Sequence, residues 1–197
     1  MKYNWQMRKK QKCNDEDKNE KEEVDDDQVK TIGTTIYFYA EISRQTILKL
    51  ITELASATKL AQEYNVPFIK LFIHSDGGDL FSGMSAMDHI KNNSVPVHTY
   101  CDGFVASAAT LLLISGHKRF AAKHSWILIH QLSTEFWGRF ADLVDEFQNA
   151  NGLMNMMKKI YSDNTDIPPK VLAELLTKEL NISADRAREY GIISEFY

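Results

Sequence analysis

A serine at position 107 has the surroundings of a nucleophile. It stands among small residues, Ala106, Ala108 and Ala109, between a β-rich run at 95–101 and an apolar stretch that reaches Ile114. Strand, tight turn and buried helix in that order put the hydroxyl at the turn. Small neighbours let a substrate backbone approach, and the free N–H groups at the start of the following helix favour an oxyanion. The same pattern also suits a serine that merely lets two helices pack closely. Three other features supply what acyl transfer needs beside a hydroxyl. Gly77-Gly78 turns the chain at the carboxyl end of a strand, where open α/β sheets bind ligands, and the Gly78 and Ala108 amides together would hold an oxyanion. His130 closes an apolar run and is the residue type that takes a proton from a hydroxyl. A carboxylate would orient that imidazole, and Glu179, between two amphipathic segments, is one candidate among many. Each feature alone also reads blandly, as a tight turn, a strand-end histidine and a solvated charge.

The elements that must position these residues alternate in type. Residues 34–42 are rich in β-branched and aromatic side chains and should form the first core strand. An amphipathic helix over 43–64 follows, with Ser43 as its N-cap. Residues 68–74 form a second strand, Asp76-Gly77-Gly78-Asp79 the turn, and about 82–91 a helix. Pro96 opens a third strand, the Ser107 helix follows, and two further β runs lie at 119–122 and 126–130. Such alternation implies βαβ units and a largely parallel, buried sheet. From Phe140 one long helix carries Leu143, Val144, Phe147, Ala150, Met154 and Met157 at spacings of mostly three and four. A stripe that long, after a compact α/β unit, suits a helix that projects and finds burial elsewhere, for example on another copy of the chain, or an ordinary helix that covers the sheet. Pro168-Pro169 starts a helix over 170–180, Ser183 caps another that ends at Gly191, and Ile192-Ile193 begins a terminal strand.

Composition narrows the function. A net charge of −4 over 197 residues argues against a dedicated nucleic-acid binder. Residues 1–31 form a polar tail with a basic block at 8–12 and an acidic run at 15–27, too sparse in apolar groups to build a core. Cys13 and Cys101 fit no disulfide framework, and the six histidines show no metal-ligand spacing, so no metal and no cofactor is expected. Met1 leads into charged residues rather than a signal segment, and the longest apolar stretch, 104–114, is too short to cross a bilayer. A cytoplasmic protein without membrane contact is expected.

Taken together, the order is informative. S-D-G-G at 75–78, G-F-V-A-S-A-A at 103–109, W-I-L-I-H-Q at 126–131, a long helix, and S-A-D-R-A-R-E-Y-G-I-I at 183–193 resemble the Clp-type serine peptidases, the ClpP family, across residues 34–197. The resemblance implies an α/β peptidase domain over 32–197, built of repeated ββα units like those of crotonases, with a projecting handle helix at about 136–162. It implies Ser107 as nucleophile, His130 as base, the Gly78 and Ala108 amides as oxyanion hole, and Gly77-Gly78 as the edge that binds a substrate strand. Counting back from Tyr190-Gly191 places Glu179 where the family has its triad aspartate. It further implies a homo-oligomer of two stacked heptameric rings around a closed chamber, polypeptide substrates, ATP-independent peptide-bond cleavage, and an AAA+ unfoldase as partner. Three departures stand out. Asp76 replaces a proline, Ala108-Ala109 replaces Met-Gly, and the stretch before Thr34 does not resemble the family's pore-loop segment. The A-S-A-A variant also resembles phage-encoded members that process capsid proteins. Other readings are a catalytically weak ring subunit and a crotonase-type acyl-CoA enzyme, which needs no Ser/His pair.

Overall fold

The computed structural model describes residues 28–197. Its centre is a mixed eight-stranded sheet. β1 (Val29–Ile32) and β2 (Thr35–Phe38) form an antiparallel pair across Gly33, whose φ of 62° suits a tight turn. The polar tail expected through residue 31 therefore gives way to a strand, with Val29 only 3% exposed. The expectations for residues 1–27, and for Cys13, lie outside the described residues. β3 (Ile69–Ser75), β4 (Val97–Ala106) and β5 (Lys118–Ala121) continue the sheet in parallel.

β4 is ten residues long, and its two halves take different neighbours. Residues 98–101 pair with β5, whereas Phe104, Val105 and Ala106 pair in parallel with β6 (Trp126–Leu128). β6 in turn pairs antiparallel with β7 (Ile182–Ser183). The strand thus continues through Asp102-Gly103, a dipeptide that sequence alone marks as a turn, by way of a bulge that shifts its register with β3 between Ile73 and Ser75. Gly103 takes a φ of 83° there, and a Cβ on it would lie 2.9 Å from the His74 ring.

Helices α1 (Arg44–Glu63), α2 (Leu80–Lys91) and α3 (Ala109–Ile114) follow their strands and pack on the sheet and on each other. α1 starts at a reciprocal cap: the Thr46 N–H donates to Ser43 Oγ at 3.2 Å and the Ser43 N–H to Thr46 Oγ1 at 3.0 Å. Alternate residues of β3 divide the sheet's faces. Ile69, Leu71 and Ile73 are fully buried under the helices, and Phe72 on the other face joins a stack of Tyr37, Tyr100 and Phe120.

α4 (Phe140–Asn164), α5 (Pro169–Leu175) and α6 (Ala184–Glu189) complete the helices. Only Met157 and Tyr161 of the 25 residues of α4 are buried. α5 stops short of residue 180, because Leu176 and the groups after it close into turns before β7. The terminal strand β8 is Glu195–Phe196, pairing with β5. Ile192 and Ile193 are buried core residues held back against α6 by N–H donation to the Ala187 carbonyl.

Candidate active site

Ser107 follows immediately on β4, and its backbone is strained. Its φ is +54°, a left-handed conformation that costs a residue with a Cβ about 1 kcal/mol or more. Three contacts hold it there. Its N–H donates to the Leu128 carbonyl at 2.8 Å, which ties the turn to β6. Its carbonyl accepts from the Thr110 N–H at 3.0 Å and from Thr110 Oγ1 at 2.6 Å. Thr110 Oγ1 also meets the hydroxyl of Tyr161 at 2.6 Å. Burial raises the Tyr161 phenol to about 12, so it stays neutral and can serve as a hydrogen-bond partner throughout the working pH range.

Against this turn lies the glycine turn. Gly77 and Gly78 have φ of 100° and 139°. A Cβ on Gly77 would come within 2.6 Å of Ser107 Cβ and 2.8 Å of the Ala106 carbonyl oxygen. A Cβ on Gly78 would meet the Ile42 carbonyl oxygen at 2.3 Å. Both positions therefore need glycine for space as well as for conformation. Ile42 bridges Gly78 in parallel, donating to the Gly77 carbonyl at 2.6 Å and accepting from the Asp79 N–H at 2.7 Å. In a parallel bridge the central residue's own N–H points away from that partner, so the Gly78 amide takes no part in the bridge.

Ser107, Ala108, Gly78 and His130 line one cavity of about 740 Å³. His130 lies two residues beyond β6, half-buried, next to the fully buried Ile129. The cavity's other wall comes from α4, through residues including Asn149, Gly152, Leu153 and Met157. Sequence reasoning missed this wall. The spacing of 149, 153 and 157 carried the signal, since residues four apart share one helix face. The wall is fastened by the Leu132 N–H on Met154 Sδ at 3.2 Å and by Tyr161 on Thr110. Thr110 and Tyr161, which anchor the serine turn, were also missed. Their link spans 51 residues of sequence and leaves no local pattern.

Glu179 is exposed and does not line the cavity. Among the described residues no hydrogen bond joins His130 to Glu179 or to Ser107 Oγ. The strand registers nevertheless relate His130 to Glu179. β7 pairs with β6 as Trp126↔Ser183 and Ile127↔Ile182. Continued by three residues, this register sets His130 opposite Glu179, a pairing that brings Cβ atoms to about 5 Å in a formed ladder. β4 flanks β6 on its other side, with Ala106 beside Leu128. Ser107 thus lies one residue beyond β4 and His130 two beyond β6, whereas Glu179 lies three residues before β7, outside the formed ladder.

A hydroxyl in a strained turn and an imidazole lining the same cavity are the kinds of group that acyl transfer uses. Comparison with known proteins points the same way. The family model described as Clp protease matches residues 20–197. A Cyanophora paradoxa protein described as an ATP-dependent Clp protease proteolytic subunit is 34% identical over 140 residues, 70% of this chain and 72% of the relative. Proteins of the same description from Triticum aestivum and Oryza sativa subsp. japonica are 31% identical over 137 residues, 68% of this chain and 63% of theirs. The chain thus spans less than two thirds of the length of these last two. No described helix is long and apolar enough to cross a membrane. The relatives named here lend no support to a capsid-processing role. With the family model covering nearly the whole of it, this chain belongs to the Clp protease family, whose members are serine peptidases.

Proposed function

We propose that this protein cleaves peptide bonds with Ser107 as nucleophile and His130 as general base. The observation that supports this best is the one cavity that Ser107, Ala108, Gly78 and His130 line together. An extended substrate strand lies beside Gly77-Gly78, its backbone adding to that edge. The Ser107 hydroxyl attacks the scissile carbonyl as His130 takes its proton, and the Gly78 and Ala108 amides stabilise the oxyanion. His130 then returns the proton to the leaving amine. Water, activated by the same imidazole, hydrolyses the ester and regenerates the serine. Glu179 orients His130 once the β6–β7 ladder extends by three residues. Nothing in these steps consumes ATP. Several copies assemble through α4 into a closed chamber of stacked heptameric rings, and an AAA+ unfoldase supplies unfolded chains.

A fluorophosphonate probe tests the central claim. The assembled protein should be labelled on Ser107, and Ser107→Ala should lose both labelling and peptide cleavage, by about 10³-fold or more. The unmade His130–Glu179 hydrogen bond favours a second reading, a ring subunit of little activity. That reading predicts no labelling of the assembled wild type. Glu179→Ala separates the two further. It should reduce cleavage at least tenfold if the glutamate orients the base, and leave it unchanged if it does not.

A further inference from the structure

The cavity beside Ser107 is not uniform along its length. α4 lines it with Met157, Leu153, Asn149 and Glu146, at successive spacings of four, four and three on one helix face. Polarity changes steadily along that face. Met157 is 5% exposed, Leu153 half-buried, and Asn149 and Glu146 exposed. The apolar end is the reacting end, because Tyr161 and Met154 are the residues tied to Thr110 and Leu132, next to the serine turn and His130. Glu146 lies two turns beyond Met154, about 12 Å along the axis at ~1.5 Å per residue. An extended peptide covers that span in about four residues.

The charges along the cavity are all of one sign. Asp79 and Glu146 both line it, and among the described residues no lysine or arginine does. The Asp79 carboxylate accepts from the Ser82 N–H and hydroxyl, which keeps its pKa below the ordinary range and the group ionised. Glu146 makes no ion pair of its own among the described residues. Its carboxylate is free to meet a ligand.

The geometry points to Glu146 as a specificity-determining residue. It selects polypeptide substrates carrying a lysine or arginine about four residues from the scissile bond, with an apolar side chain seated on Leu153 and Met157. The inference rests on the peptidase reading above and deepens it by naming the substrate class. The carboxylate attracts the distant cation and repels an acidic residue there, and no lysine or arginine among the described residues lines the cleft to offset it.

Matched quenched-fluorescence peptides, identical but for Lys or Glu placed three or four residues to either side of the cleavage site, test it on the assembled protein. The wild type should cleave one Lys peptide about fivefold better in kcat/KM than its Glu counterpart. Salt should shrink the ratio. Glu146→Gln should bring it close to one and Glu146→Lys should invert it. Equal cleavage of every pair by the wild type, or a ratio that Glu146→Gln leaves unchanged, overturns the inference. Failure of the peptidase reading looks different: no peptide is cleaved and the fluorophosphonate leaves Ser107 unlabelled. Anisotropy of the same labelled peptides on Ser107→Ala then decides the preference without turnover. Tighter binding of the Lys peptide that Glu146→Gln abolishes upholds it, and indifference to the charge overturns it.

Discussion

Two helices flank the site and are held by different means: α3 follows directly on Ser107 and Ala108, and α4 lines the far side of the cavity. α3 has six residues, all buried, and Leu111, Leu112 and Leu113 are fully so. It is bound to the sheet behind it by its own chain. α4 has 25 residues, and its exposed apolar groups include Phe140 at 83% and Phe147 at 62%. Trp137, just ahead of it, is 96% exposed. Apolar groups in such number along one element mark a surface that another protein covers. The nucleophile's side is therefore buried within one chain, whereas the α4 side leaves an apolar surface uncovered by the chain itself. A strained serine suits the first arrangement, since strain persists only where the surroundings over-determine the backbone.

The contrast can be broken from either side. Damage beside Ser107 should be intrinsic to the single chain. Gly77→Ala forces a Cβ to within 2.6 Å of Ser107 Cβ at a φ of 100°. It should cost about 3 kcal/mol of stability and abolish fluorophosphonate labelling, whatever the state of assembly. Chemical denaturation and labelling check this, and a variant of wild-type stability would show that the two turns are not wedged together. Damage on the exposed apolar face of α4 should act through assembly. Phe147→Lys should shift the sedimentation profile toward small species and lower peptide cleavage about tenfold, while the circular dichroism of the folded chain is kept. A wild-type sedimentation profile would remove the reason for placing a second copy on α4.

How much of this was legible in the sequence follows the same division. α1, α2 and the start of α6 fall where periodicity and capping residues place them, because Ser43 and Ser183 accept the N–H bonds their positions suggest. The serine and glycine turns were readable because glycine and small residues leave a local trace. β1 was not, since its four residues lie in a charged stretch and gain burial only by pairing with β2. The full length of β4 was hidden by Asp102-Gly103, where tertiary pairing with β6 overrides turn chemistry. Ile192-Ile193 look like a strand by composition, yet α6 captures them as core. In the site, His130 and Ser107 were found by type and spacing, but the Thr110–Tyr161 brace and the α4 wall arise from contacts remote in sequence. Glu179 came from the family resemblance, and the β6–β7 register is a separate reason for considering it.

The brace between the two walls gives a smaller effect. Tyr161→Phe removes only the hydroxyl that meets Thr110 Oγ1, inside a fully buried site. Thr110 keeps its bond to the Ser107 carbonyl, so the expected loss is about 1 kcal/mol in thermal or chemical unfolding. Cleavage should fall modestly, because the α4 wall loosens against the serine turn. If kcat/KM instead collapses with stability unchanged, the phenol does more than brace.

The smallest effect belongs to Asp79, on the nucleophile's side. Its carboxylate caps α2 by accepting from the Ser82 hydroxyl and N–H, and the hydroxyl contact is the main reason its pKa is lowered. A carboxylate with a lowered folded pKa contributes stability that is present above its unfolded value and lost as pH falls through the folded one. The group is mostly solvated, so this contribution amounts to a few tenths of a kcal/mol. Asp79→Asn keeps a capping oxygen without the charge. At pH 7 the variant should unfold slightly more easily than the wild type, and the difference should close as both are taken into acid below the ordinary carboxylate range. A difference that stayed constant across that titration would mean that the hydrogen-bond geometry, not the charge, secures the start of α2.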